Sequence, residues 1–175
     1  MANFDLYLPQ LLIFEGGYVD DPHDPGGATN KGITLRTFQS HAGRLLNLAP
    51  TLANLQALTD QQAAALYRAL YWDALQCDQI QLQCLAEDLF DFYVNAGVHA
   101  IFLIQRLLGA PVAVDGVFGH DTLAALEAAD QRTLYARYRQ GRIDYYRLLA
   151  TQHPVLARFL AGWLRRAQWF PVNAP

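Results

Sequence analysis

Apolar side chains recur along most of this chain at intervals of three and four, whereas stretches alternating with a period of two are few and short. That spacing predicts helices. Phe4, Leu8, Leu11, Leu12 and Phe14 mark an amphipathic helix ending at Gly16-Gly17, since paired glycines carry no Cβ to penalise a left-handed exit. Glu15 therefore falls at a helix end. From Gly16 to Gly32 the chain is rich in Gly, Asp and Pro and reads as an irregular loop or small hairpin. Thr34 can cap a helix running to about Gly43, and Thr59 with Gln62 forms a capping-box pattern for one running through Leu70. A helix over Glu87 to Ala96 stops at Gly97, another over His99 to Leu108 stops at Gly109, and Pro111 to Gly119 is a turn-rich link. Beyond it, Asp121 to Ala129 is short and Gln131 to Ala150 is long. Pro154 to Gln168 carries Leu156, Phe159, Leu160, Trp163 and Leu164 on one side, with Gly162 beside Trp163 read as close helix contact. The expected fold class is mainly α, one helical domain with a small loop or β-hairpin insertion near the N-terminus.

Composition narrows the function classes. With 175 residues, 53% of them hydrophobic and 12% aromatic, the chain can bury a sizeable core, which excludes disorder. No apolar run approaches the roughly 18 residues of a membrane span. No Lys or Arg precedes Lys31, so a Sec signal is not expected, and synthesis in the cytoplasm is. Cys77 and Cys84 stand seven apart, about 10 Å along one helix, which is too far for a disulfide and predicts two buried thiols.

The net charge of −3 hides an asymmetry. Met1 to Ala129 holds 5 basic and 14 acidic residues; Asp130 to Pro175 holds 8 basic, all Arg, and 2 acidic. The arginines read as a solvated helix face, with long-range attraction to a polyanion as the alternative. No nucleic-acid partner is expected, because the chain is acidic overall and shows no recognition motif.

The chemistry concentrates in E-G-G-Y-V-D-D-P-H-D-P-G-G-A-T-N-K-G-I-T, from Glu15 to Thr34. A carboxylic acid at a helix end beside Phe14 would stay protonated through burial. Asp24, in a wetter loop, would stay ionised. Glycoside hydrolysis needs those two states, a donor to the leaving oxygen and a carboxylate that activates water or stabilises the oxocarbenium-like transition state. Asp20 or Asp21 could take the place of Asp24. The cluster of Asp20, Asp21, His23 and Asp24 also invites a metal reading, but it lacks the EF-hand order, and no metal is assigned.

The spacing Glu15-x8-Asp24-x4-Thr29 resembles the Glu/Asp/Thr arrangement of phage-type lysozymes, one residue shorter between Asp and Thr. The full string is more similar to the glycoside hydrolase family 108 N-acetylmuramidases. That similarity continues through Tyr71-Trp72-Asp73, Asp91-Phe-Tyr-Val-Asn95-Ala-Gly97, Leu103-Ile-Gln105, Asp115-Gly-Val-Phe-Gly119 with Thr122, and Phe159-Leu-Ala-Gly162-Trp163-Leu-Arg-Arg166. It departs at His120, where the family turn commonly continues with Pro. The resemblance implies a lysozyme-like fold, with a catalytic region at 1–89 and a helical peptidoglycan-binding region at 90–175 packed into one compact unit.

It also implies a muramidase cutting the β-1,4 bond between N-acetylmuramic acid and N-acetylglucosamine without a cofactor. Glu15 would be the general acid, Asp24 its partner and Thr29 a water-positioning hydroxyl, with Tyr71, Trp72, Tyr93 and Asn95 lining the sugar groove. Separation of the carboxyls decides between retention and inversion. Rival readings are a lytic transglycosylase and a non-catalytic wall-binding protein. The substrate lies in the periplasm or cell wall, so a holin in a lysis cassette or a secretion apparatus delivering an antibacterial effector would supply access. An effector would need an immunity protein. A monomer is expected.

Overall fold

The computed structural model describes residues 1–20 and 27–172. It is helical with one small sheet, as the spacing predicts: α1 (Phe4–Glu15), β1 (Thr29–Asn30), β2 (Ile33–Thr34), α2 (Leu35–Leu46), α3 (Leu52–Gln56), α4 (Asp60–Tyr67), α5 (Gln83–Ala96), α6 (His99–Leu108), α7 (His120–Ala128), α8 (Gln131–Gln152) and α9 (Leu160–Trp169). A short π-helix at Arg68–Trp72 and 3₁₀-helices at Cys77–Gln79 and Pro154–Phe159 complete it. No helix among the described residues is long and apolar enough to cross a membrane. The chain forms two compact units, Phe4–Asp73 and Ala74–Pro175, the latter including Met1–Asn3. Residue 89, where the sequence reading divides the chain, lies inside α5.

The N-terminal unit is built on α1, whose Phe4, Tyr7 and Leu11 are buried. Helix α1 ends where expected, with Gly16 at φ +72 donating to the Leu12 carbonyl at 3.1 Å. The hairpin is antiparallel, pairing Thr29 with Thr34 and Asn30 with Ile33. Its two-residue loop puts both Lys31 (φ +50) and Gly32 (φ +74) in the left-handed region, the geometry that matches strand twist. Thr34 then caps α2 by accepting from the Thr37 amide, and Thr59 and Gln62 form the expected capping box on α4. Asn30 is buried and its amide donates to the Leu55 and Gln56 carbonyls at 2.8 and 3.0 Å, tying the hairpin to the end of α3.

In the C-terminal unit, α5, α6, α8 and α9 pack around Leu89, Phe90, Phe92, Ile104, Tyr138 and Tyr146. Gln105 closes the α6–α7 loop: its amide nitrogen donates to Asp115 Oδ1 (2.9 Å), the Val117 carbonyl (3.0 Å) and Thr122 Oγ1 (3.2 Å), and its oxygen accepts from the Gly116 amide (3.0 Å). Hydrogen bonds from the Val117 amide and Gln105 hold the Asp115 carboxyl below its ordinary range. Gly116 (φ +77) is required there, since a Cβ would strike Phe102 Cε1 at 2.9 Å. His120 occupies the first helical position of α7, the place where proline is favoured, so the departure from the family turn leaves the helix start intact. Cys77 and Cys84 are buried and form no disulfide.

Two sequence expectations are corrected here. Arg142 and Arg166 are not on a solvated face; Arg142 is buried against Asp88 and Asp91, and Arg166 against Asp91. Arg142 donates to Asp88 at 2.6 Å and Asp91 at 2.5 Å, and Arg166 donates to Asp91 through Nε at 2.9 Å and Nη2 at 2.7 Å, so four charges staple α5, α8 and α9 together. Their partners lie 51 to 75 residues away, outside what local periodicity registers. Nor does Gly162 allow a close helix contact: nothing stands within 4 Å of the position its Cβ would take.

Candidate active site

In the N-terminal unit, Glu15 is the last residue of α1 and is half-buried. After the turn at Gly16 the chain runs back beside the hairpin, Val19 exchanging two 2.8 Å backbone bonds with Thr29. This return brings the Glu15 carboxyl over the hairpin loop. A Cβ on Gly32 would collide with Glu15 Oε2 and the Tyr67 hydroxyl and would lie 2.8 Å from Glu15 Cδ. Glycine at 32 is thus demanded twice, by the positive φ of the turn and by the acid resting on it.

The hairpin loop is itself held in place. Tyr67, wholly buried on α4, donates its hydroxyl to the Lys31 carbonyl at 2.8 Å, and Lys31 Nζ pairs with Asp60 at 2.6 Å. Tyr67 is a site residue that sequence reasoning missed. Its only local signal is the Tyr67-x3-Tyr71 spacing, and its partner lies 36 residues upstream.

Thr29 lies in β1, half-buried, its hydroxyl donating to the Gly27 carbonyl at 3.4 Å. Asp20 is exposed and accepts from the Tyr18 hydroxyl at 3.1 Å, while that hydroxyl accepts from Gln56 Nε2 at 3.0 Å. Asp21, His23 and Asp24 lie outside the described residues.

The four expected sugar contacts fare differently. Tyr71 is half-buried, its ring tilted 5.7 Å from that of Tyr67. Trp72 is corrected: it has no exposed surface, because the π-turn rotates it into the core edge-on to Phe4 at 5.5 Å, and a sugar has no ring face to stack on. Tyr93 and Asn95 belong to the C-terminal unit, on the last turns of α5, Tyr93 half-buried and Asn95 exposed.

Substitution of Gly32 by Ala is expected to lower any activity that depends on the Glu15 carboxyl by about 100-fold, the order of loss for a reacting group moved by an ångström, and to lower the thermal midpoint as well. Gly17→Ala, where nothing lies within 4 Å, is the control and should retain activity. Parallel turbidity assays and melts of the two variants check this; equal activity in both would refute the role given to Gly32.

Residues 8–97 match the family model described as Glycosyl hydrolase 108, and residues 99–168 match one described as Predicted Peptidoglycan domain. Among solved structures, SagA from Brucella abortus is 31% identical, with a TM-score of 0.70, over 95% of this chain and 94% of that one. No curated protein matches significantly. Since the first model spans half of the chain and SagA exceeds 30% identity over nearly all of it, the chain belongs to the glycosyl hydrolase 108 family and is a glycoside hydrolase of peptidoglycan.

Proposed function

We propose that the enzyme is an N-acetylmuramidase, hydrolysing the β-1,4 bond between N-acetylmuramic acid and N-acetylglucosamine. The observation that carries this reading is the placement of Glu15, a carboxyl at a helix end resting on a glycine turn that admits no side chain. Such an acid is pre-organised to protonate a leaving oxygen. Asp24 is assigned the partner carboxylate, and Thr29, on the strand beside it in sequence, the water or a substrate hydroxyl. Tyr71, Tyr93 and Asn95 are assigned to the glycan strand. The division of labour follows the sequence reading, with catalysis in 1–89 and wall binding in 90–175.

Peptidoglycan lies outside the cytoplasm. The enzyme therefore acts in the periplasm or wall after delivery by a holin or a secretion apparatus, in lysis or as an antibacterial effector with a cognate immunity protein.

Mass spectrometry of fragments released from purified peptidoglycan tests the reaction. Reducing muramic acid ends are the expected product. Ends in 1,6-anhydro-muramic acid would replace hydrolysis by lytic transglycosylation, and the absence of fragments, where a control enzyme works, would leave only wall binding.

A further inference from the structure

Asn95 is exposed on the last turn of α5, yet its side chain is held from behind. Tyr146, buried on α8, donates its hydroxyl to Asn95 Oδ1 at 2.5 Å. One helical turn before Tyr146 stands Arg142, its guanidinium carbon 5.8 Å from the Tyr146 ring centre and anchored to Asp88 and Asp91, and Arg166 fastens Asp91 from α9.

This arrangement determines which way the amide faces. A guanidinium has donors only, and the Asp88 and Asp91 carboxylates behind it are engaged with Arg142 and Arg166, so the phenol proton turns away from the arginine side. Its acceptor is Asn95 Oδ1, which turns Nδ2 outward, where it donates to no described residue. Burial raises the Tyr146 hydroxyl above the ordinary phenol range while Arg142 and Arg166 pull it down. A charged network under a single exposed amide is a costly foundation for a surface side chain. What it provides is a donor whose direction is set before any ligand arrives.

The surroundings specify the ligand. Two carboxylates and two guanidinia cancel, so the foundation offers a ligand no net charge. The tyrosine ring stacks on Trp163 (5.3 Å, 21° between planes) and meets Tyr145 at 5.4 Å, which meets exposed His99 at 5.2 Å. A fixed N–H beside aromatic rings suits a neutral group that joins a carbonyl acceptor to a methyl. We propose that Tyr146 is a positioning residue that presents Asn95 Nδ2 to the acetamido carbonyl of an N-acetylated aminosugar. The proposal rests on the peptidoglycan reading above and adds the chemical group read and the residue that aims the donor.

The test uses the full chain carrying Glu15→Gln, so that the probe is not consumed, and isothermal titration with chitotetraose, a β-1,4 tetramer of N-acetylglucosamine. Cellotetraose, which lacks the acetamido group and is equally neutral, is the control. Tyr146→Phe removes one hydroxyl and Asn95→Ala removes the amide; each is expected to weaken chitotetraose binding about tenfold. The double variant should bind no more weakly than Asn95→Ala alone, because both act through one donor. Additive losses, or unchanged binding in Tyr146→Phe, would reduce Tyr146 to a structural role. Equal affinity of the parent for the two sugars would overturn the acetamido reading. Lack of fragment release by the wild type would sink the muramidase proposal and leave this binding measurement standing.

Discussion

Glu15→Gln should lower release of soluble peptidoglycan fragments by about a thousandfold, within the range that general acid catalysis contributes, with little change in thermal midpoint. Gln preserves the length and planarity of the side chain, so the fit over Gly32 survives and only the transferable proton is lost. A half-buried position at the end of α1, near the hairpin loop that Tyr67 holds in place, leaves the residue little freedom to be replaced by a neighbouring acid. Activity above a tenth of wild type would remove Glu15 from the acid's role and turn attention to Asp20 and the acidic residues that follow it in sequence.

Arg142→Ala should cost about 3–5 kcal/mol of stability, the range measured when one partner of a buried ion pair is deleted. The side chain is wholly buried between two carboxylates, and its loss takes from Asp88 its paired cation, leaving the weaker attraction of Arg139, while Asp91 keeps Arg166. Asp88 already carries strain of this kind. Burial pushes its carboxyl from 3.8 up to about 6 although Arg142 faces it, and its Oδ2 has no hydrogen-bond partner among the described residues. An acid with a raised folded pKa binds its proton more tightly folded than unfolded, so its contribution to stability falls as pH rises from 3.8 through about 6. The deficit of Arg142→Ala is therefore expected to be largest above pH 7 and to shrink below about pH 6, where Asp88 can take a proton. Urea unfolding at both ends of that window measures it; a loss under 1 kcal/mol that ignores pH would show that the network bears no weight.

Much of this was legible from local signals. The stops at Gly16, Gly97 and Gly109, the cap at Thr34 and the Thr59–Gln62 box are nearest-neighbour features, and the helices fall where they point. Glu15 was found because its helix end and glycine pair are adjacent in sequence. The five-residue α3 escaped because it is too short to show a period. Trp72 was misjudged because aromatic character alone does not distinguish a sugar platform from a core residue; the π-turn that buries it leaves no mark at that length. Tyr67 and the arginines Arg142 and Arg166 depend on partners 36 to 75 residues away. Only the folded chain brings those together, and two of the eight arginines in the basic C-terminal stretch are core residues rather than surface ones.

The tryptophans are divided between the units in a way that makes each optically separable. Trp72 is sealed in the N-terminal unit, whereas Trp163, stacked on Tyr146, and Trp169, nearly half exposed, belong to the C-terminal one. A variant that keeps Trp72 alone would emit toward the blue and report the melting of the unit that holds Glu15. One that keeps Trp163 alone would follow the unit assigned to the wall. Intrinsic emission thus distinguishes a chain that comes apart in one cooperative step from one whose halves let go in turn.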